Sequence, residues 1–257
     1  MKVLKYYGRK AVLPIMALAF AAAVWELLVH VLGIPMYVLP PPSRVLSAFW
    51  RELHTLLIHG LVTFEETLIG IFLALILGVF LSVLMDAMPK LKSAVYPILV
   101  ISQTIPVIVL APIFIIYMGF GIMPKIVTVV LMCFFPIAVS FSDGLARVDM
   151  RLINLVKALG AKKQQIYRIV KIPAAASALF SGLKVAATYS ISGAVVGEWL
   201  SSNSGLGYYM LKVKNAYMMD KLFASVLMVV ILSLVMNAIV RALRMLLIPA
   251  DRGNQNK

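Results

Sequence analysis

The sequence is short of charge and has almost no cysteine. Only 13% of its 257 residues are charged, and Cys133 is the single cysteine. A soluble domain has about 25% charged residues, so the composition excludes an ordinary soluble domain. One cysteine excludes an internal disulfide and a cysteine-cluster metal site. Cys133 lies within an apolar run, and we expect it to be a small packing residue.

Acidic residues are scarcer than basic ones, 10 against 24, which leaves a net charge of +14. An excess of this size is typical of nucleic-acid-binding proteins. Here, however, the basic residues flank apolar runs, as they do in membrane proteins whose cytoplasmic loops hold Lys and Arg. We therefore expect membrane lipid, and not nucleic acid, to surround this chain.

Catalytic and metal-binding patterns are also missing from the sequence. It contains no G-x-x-x-x-G-K-[ST] phosphate loop. The three histidines, His30, His54 and His59, do not have the spacing of metal ligands. We expect a non-catalytic chain without a cofactor or metal of its own, so any ATP hydrolysis would require a separate subunit.

Six long apolar runs dominate what is present. A membrane helix needs roughly 20 mostly apolar residues to cross about 30 Å of hydrocarbon. The predicted fold class is therefore all-α, a polytopic membrane helical bundle, with residues 1–257 forming one domain. The first run, of about 22 residues, exceeds the 7–15 of a signal-peptide core, so we expect it to be retained. The spans are expected at about residues 11–32, 66–85, 93–118, 124–142, 178–200 and 222–248.

The basic residues predict an orientation. With a cytoplasmic N-terminus, 17 Lys and Arg residues lie in inside segments and 6 in outside segments. This split fits the positive-inside rule. Both termini, and the basic segment of about residues 143–173, are therefore expected on the cytoplasmic side.

Few polar residues occur inside the spans, and each is a candidate for function. Charged residues there are functional hypotheses by default. For Glu26 and Glu198, substrate contact and a structural role both stay open, while Lys184 is expected to extend to the cytoplasmic interface. Hydroxyl and amide side chains can line a polar path or join helices. The candidates for the path are Gln103, Thr104, Pro106, Thr188, Tyr189 and Ser192.

Proline and glycine mark two further features. Pro106 leaves backbone carbonyls unpaired, which is tolerated only against protein or a wet cavity. The stretch "SGLGYYM" is either an ordinary turn or a cap on the outer mouth, because its glycines permit sharp turns. The candidate residues for an outer gate are Glu198, Gly205, Gly207 and Tyr208.

The stretch "LINLVKALGAKKQQIYRIVKIPA", residues 152–174, is amphipathic and basic. Its apolar residues follow helical spacing, with a break at Gly160 and a second helix expected to stop before Pro173. One interpretation is a helix pair on anionic headgroups. The other is a docking element that enters the groove of a cytoplasmic partner.

This segment resembles the cytoplasmic loop of bacterial ABC-importer permeases. The family pattern has a glycine, nine further residues, an isoleucine, one residue and Leu-Pro, and here these are Gly160, Val170, Ile172 and Pro173. The Glu-Ala-Ala that opens the pattern is replaced by residues 154–156, "NLV". The stretches "LPPPSRVLSAFW", "TIPVIVLAPIFIIYMGFG", "FSDGLARVD" and "VVGEWLSSNSGLGYYML" are similar to the branch that imports sulfonates, taurine, nitrate or thiamine-type pyrimidine precursors.

The resemblance implies a permease subunit in the bacterial inner membrane that moves a small polar solute. Its partners would be a second permease copy in a homodimer or heterodimer, two ATPase subunits that bind ATP and Mg, and an extracytoplasmic solute-binding protein. The solute-binding protein would meet the outer-gate residues. An ion-gradient-driven secondary transporter is the alternative, although such proteins usually show inverted repeats and mid-membrane carboxylates. The residues expected to couple to the ATPase are Lys157, Ala158, Leu159, Gly160, Ala161, Lys162 and Pro173.

Overall fold

Helices make up all the regular secondary structure between residues 2 and 248, the part of the chain that the computed structural model describes. The predicted all-α fold class is confirmed. The elements are α1 (Lys2–Val31), α2 (Pro42–Arg51), α3 (Leu53–Ala87), α4 (Pro89–Ser102), α5 (Val107–Met118), α6 (Ile122–Ala146), α7 (Met150–Ala158), α8 (Lys163–Ile166), a π-helical turn (Tyr167–Lys171), α9 (Ile172–Ser201), α10 (Leu206–Asn215) and α11 (Met219–Leu247).

Five stretches are long and apolar enough to cross a membrane, and the bent pair of α4 and α5 makes a sixth candidate. This candidate covers the span predicted over 93–118, and it is bent by 102° between α4 and α5. Pro106 lies at the break with an extended backbone, since proline has no N–H to continue the helix. The five are Val12–Val31, Leu53–Ala87, Ile122–Ala146, Lys163–Leu200 and Met219–Leu247.

The chain divides into two compact units. Among the residues that the structure describes, the first contains residues 2–58 and 209–228, and the second contains residues 59–208 and 229–248. In the first unit, the Glu26 carboxylate accepts hydrogen bonds from the backbone N–H and the hydroxyl of Ser43, at 3.0 and 2.7 Å. The N–H groups of a helix's first turn lack partners within the helix, so Glu26 of α1 caps α2. This contact gives Glu26 a structural role within the chain.

The first unit also contains an ion pair beside α2. Lys221 Nζ lies 2.6 Å from a Glu52 carboxylate oxygen, and the Tyr209 hydroxyl donates to the other oxygen at 3.3 Å. The hydrogen bond from Lys221 lowers the pKa of Glu52 below its ordinary value. Burial and the neighbouring Glu52 carboxylate raise the pKa of Tyr209 to about 12. Glu52 is therefore ionised and Tyr209 protonated at neutral pH, as the hydrogen bond between them requires.

In the second unit, α6 and α9 pack closely through small residues. A Cβ at Gly182 would lie 2.6 Å from the Pro136 carbonyl oxygen, and one at Gly197 would lie 2.8 Å from the Lys125 Cα. Small residues let helix backbones approach, and this is how helices associate inside membranes. Cys133 is fully buried in this core, as predicted, with its Sγ 3.5 Å from the Ala186 carbonyl oxygen.

The helix–glycine–helix segment, residues 149–173, has the predicted break. The Asp149 side chain accepts from the Arg151 N–H at 2.8 Å and caps α7. Gly160 has a φ of +83°, the left-handed conformation that glycine adopts at helix ends. The break at Gly160 is confirmed.

The predicted helix stop before Pro173 is wrong. One helical stretch continues from Lys163 to Leu200, through the π-helical turn and past Pro173. The Ile172 N–H bonds to the Tyr167 carbonyl, five residues back. Proline is tolerated in the first turn after such a register change, because its missing N–H removes little hydrogen bonding there. Pro173 therefore begins α9 without ending the helix before it.

Candidate functional site

The helix–glycine–helix segment has a small apolar core of its own. Val148 and Ile153 pack against Ile166 and Val170, and all four are buried. The contact joins α7 to the helix that leads into α9. Because the two arms share this core, the segment is a packed unit and not a loose loop.

The tip of the segment, defined here as residues 157–162, presents apolar surface. The Leu159 side chain is 78% exposed, and nothing lies within 4 Å of where a Gly160 Cβ would be. Leu152 and Leu155 of α7 are exposed as well, at 49% and 59%. An apolar face on an otherwise basic helix outside the spans is typical of a protein contact surface. Six of the seven predicted coupling residues form this tip, whereas Pro173 lies apart from it, at the start of α9.

An ion pair holds the base of the segment. Asp86, near the end of α3, accepts hydrogen bonds from Lys171 Nζ at 2.6 Å and from the Tyr167 hydroxyl. The Asp86 side chain is 9% exposed and that of Lys171 is 17% exposed. This attachment to α3 was not predicted, because Asp86 and Lys171 are 85 residues apart.

A second group of polar residues lies at the other end of α9. The Glu198 cluster consists of Thr63, Glu66, Lys125, Glu198 and Ser202. The Glu198 side chain accepts from the Thr63 hydroxyl at 2.7 Å and from the Gly207 N–H at 2.6 Å. Both Glu198 and Thr63 are buried, so these hydrogen bonds compensate for the loss of water around the carboxylate.

Lys125 of α6 completes the Glu198 cluster. Its ammonium group forms a buried ion pair with Glu66 of α3 and also donates to the Ser202 hydroxyl at 3.1 Å. The sequence offered a signal for this pair, since Glu66 and Lys125 begin the predicted second and fourth spans. Their contact was not predicted, because the two residues are 59 positions apart in the sequence.

The Glu198 cluster fixes the turn at 202–207. Gly205 has a φ of +99°, and a Cβ there would collide with the Glu198 carboxylate. Its N–H donates to His59 Nδ1 at 3.1 Å, and the Leu206 N–H donates to the Thr63 hydroxyl at 2.8 Å. Three predicted gate residues, Glu198, Gly205 and Gly207, are thus in direct contact. The fourth, Tyr208, has its ring centroid 6.0 Å from that of His59.

Comparison with known proteins decides the family. The sequence model of the binding-protein-dependent transport system inner membrane component matches residues 67–250. The chain belongs to this family. It is an ABC-importer permease subunit and a multi-pass inner-membrane protein, which favours the ABC importer over the ion-gradient alternative.

Similar permeases cover nearly the whole chain. The formylaminopyrimidine transport permease protein ThiX of Halalkalibacterium halodurans is 34% identical over 241 residues, 93% of this chain and 96% of that protein. The riboflavin transport system permease protein RibX of Chloroflexus aurantiacus is 29% identical, covering 87% of this chain and 84% of that one. The taurine transport system permease protein TauC of Escherichia coli is 25% identical, covering 94% and 90%.

A solved structure agrees on the fold. A chain of the inward-facing MetNI methionine ABC transporter superposes with a TM-score of 0.55 at 24% identity, covering 75% of this permease and 96% of that chain. At this identity the similarity concerns the fold alone.

The residues predicted to line the path lie in two places. Thr188, Tyr189 and Ser192 share an exposed face of α9, where the Thr188 hydroxyl lies 3.5 Å from Asn237 Oδ1. The second place is the bend between α4 and α5, where three exposed residues lie: Gln103, Thr104 and Pro106. Because α5 packs against α9, the two places are on neighbouring helices.

Proposed function

We propose that this permease imports a small, neutral pyrimidine precursor of thiamine, with ATPase subunits docked on the tip at residues 157–162. Two copies of the chain form the pathway, two ATPase subunits bind ATP and Mg, and an extracytoplasmic binding protein delivers the solute. Both termini and the tip lie in the cytoplasm.

One observation carries the coupling part of the proposal: an exposed apolar tip on a rigid base. Leu159 and its neighbours offer apolar surface to a groove, and the nearby lysines steer the encounter. The shared core and the Asp86–Lys171 ion pair keep the segment rigid, so that movement of a docked ATPase subunit is transmitted to α9. Closure of the ATPase pair then moves the bundle as a rigid body.

Gly160→Trp tests this coupling. The position has open space around it, so the permease itself should insert and fold, although a positive φ costs a tryptophan about 1–2 kcal/mol. We expect loss of ATPase co-purification and of solute-stimulated ATP hydrolysis, because the indole would occupy the contact surface. Both are measured on importer purified from membranes.

Gly119→Trp is the matched control. Gly119 also has a positive φ, of +74°, and nothing within 4 Å of its Cβ position, but it lies in the turn between α5 and α6. It should keep the ATPase subunits bound. Normal coupling in Gly160→Trp, or equal loss in both variants, would contradict docking at the tip.

The Glu198 cluster supports a gate at the opposite end. It pins the 202–207 turn through four hydrogen bonds that end on Thr63, His59, Lys125 and Glu198. A turn held in this way presents Tyr208 in a constant position, as contact with a docked binding protein requires.

Two observations favour a neutral pyrimidine over a sulfonate or nitrate. The relative with 34% identity over 93% of this chain is a formylaminopyrimidine permease. The path face of α9 carries Thr188, Ser192 and the ring of Tyr189, which suit hydrogen bonding and stacking with a planar heterocycle. Lys184 is a cation on the same exposed side of α9. An anionic sulfonate or nitrate would be attracted by its ammonium group, whereas a neutral pyrimidine would not.

Uptake by vesicles that hold the complete importer tests the solute. With the cognate binding protein and ATP, labelled formylaminopyrimidine should accumulate, and taurine and nitrate should not. Lys184→Gln should change pyrimidine uptake by less than about twofold, because a neutral solute gains little from an ammonium group. Uptake of taurine or nitrate that is lost in Lys184→Gln would overturn the assignment.

A further inference from the structure

A pocket with excess positive charge lies beside the base of the helix–glycine–helix segment. Its volume is about 380 Å³. One wall is the end of α3, with Asp86 and Ala87, and the other carries three lysines, Lys157, Lys163 and Lys171.

The charges in this pocket do not balance. Asp86 is the single acidic residue in the lining, and it already accepts from Lys171 and Tyr167. Lys157 and Lys163 have no carboxylate partner within 4 Å among the residues that the structure describes. Three lysines against one aspartate leave an excess of two positive charges, which favours an anion.

The position of the pocket indicates what kind of anion it takes. Ala87 ends one candidate span and Lys163 begins another, so the pocket lies at the ends of two apolar helices. Lipid phosphates lie just outside the roughly 30 Å of hydrocarbon that such helices cross. Ile169 and Ile172 are exposed on the helix that carries Lys163 and Lys171, at 62% and 40%. Acyl chains can cover such apolar side chains while the headgroup meets the lysines.

We propose that this pocket binds the phosphate headgroup of an anionic membrane lipid. Lys157 and Lys163 supply the free ammonium groups. Lys171 offsets the charge of Asp86, to which its ammonium group is bound at 2.6 Å. The proposal needs neither the assigned solute nor ATPase docking, so it can fail without affecting them. A soluble phosphate shares this chemistry, and the experiment separates the two sources.

The test is titration of the purified full-length permease, in a neutral detergent, with short-chain phosphatidylglycerol or phosphatidylcholine, followed by native mass spectrometry. We expect a preference for phosphatidylglycerol. Lys157→Gln/Lys163→Gln should weaken phosphatidylglycerol binding by about thirtyfold, since each of the two basic residues near a headgroup contributes about 1 kcal/mol. The side chains are exposed, so folding should be unaffected.

Arg151→Gln/Arg168→Gln is the matched control. It removes two positive charges from exposed positions of the same segment, but neither arginine lines the pocket. Its effect should stay below about twofold. Equal losses in the two double variants, or equal binding of both lipids, would overturn the proposal. Saturation by inorganic phosphate that phosphatidylglycerol cannot displace would assign the pocket to a soluble anion and overturn the lipid assignment.

Discussion

The ion pair between Lys125 and Glu66 shows how much one residue can matter inside the spans. Both side chains are under 10% exposed. We predict that Lys125→Met destabilises the permease by about 3–5 kcal/mol, because it leaves the Glu66 carboxylate buried without its cation. Thermal unfolding of the purified protein in detergent measures this.

The double variant Glu66→Gln/Lys125→Met should recover part of the loss, since it removes both charges. Lys212→Met, at an exposed lysine of α10, controls for the change of side chain and should alter stability by less than about 0.5 kcal/mol. A double variant less stable than Lys125→Met would refute the account of the pair.

Gly205 is a second position where a single atom decides the structure. Gly205→Ala should destabilise the permease by more than the roughly 1–2 kcal/mol that a left-handed backbone costs, because its Cβ must also displace the Glu198 carboxylate. Gly33→Ala provides the comparison, since Gly33 has a φ of +60° and open space around it. Similar shifts of the unfolding temperature in the two variants would show that Glu198 does not restrict this position.

The π-helical turn matters at the scale of the element. It inserts one extra residue between α8 and α9, and Ile169 within it is exposed. Deletion of Ile169 should restore an α-helical register and rotate the tip by about 100° relative to α9. We expect membrane insertion to persist and solute-stimulated ATP hydrolysis to fall by at least about tenfold.

Ile169→Ala keeps the chain length and should retain that ATPase stimulation. If the deletion variant hydrolyses ATP in response to solute as the full-length chain does, the orientation of the tip is not important for coupling.

Sequence reasoning predicted the features that depend on neighbouring residues. The break at Gly160 follows from one glycine between two amphipathic stretches. The π-helical turn was not predicted, because apolar spacing over five residues does not distinguish α from π hydrogen bonding. At Pro106 the sequence predicted unpaired backbone carbonyls but not the bend. A proline inside an apolar run fits either a kinked or a broken helix. The two buried ion pairs join residues that are 59 and 85 positions apart in the sequence. They depend on how the helices pack, which the periodicity of the sequence does not specify.

At the scale of the whole molecule, the orientation can be tested with single cysteines. Cys133 is fully buried, so the native background should be low. In intact cells that produce the permease without its ATPase subunits, a membrane-impermeant maleimide should label Asn203→Cys, while Leu159→Cys should react only after permeabilisation. Both positions are exposed, which makes the two variants controls for each other. Reversed labelling would place the termini outside and the tip away from any ATPase.

The helical stretch Lys163–Leu200 has 38 residues, which at 1.5 Å per residue is about 57 Å. Hydrocarbon accounts for only about 30 Å of that length. The same rod contacts Asp86 near its beginning and Thr63 near its end. A tilt of about 10° around the first contact, at Lys171, would displace Glu198, about 40 Å along the rod, by about 7 Å. A modest push on one side of the bilayer is therefore enough to pull Glu198 away from the hydroxyl that holds it on the other.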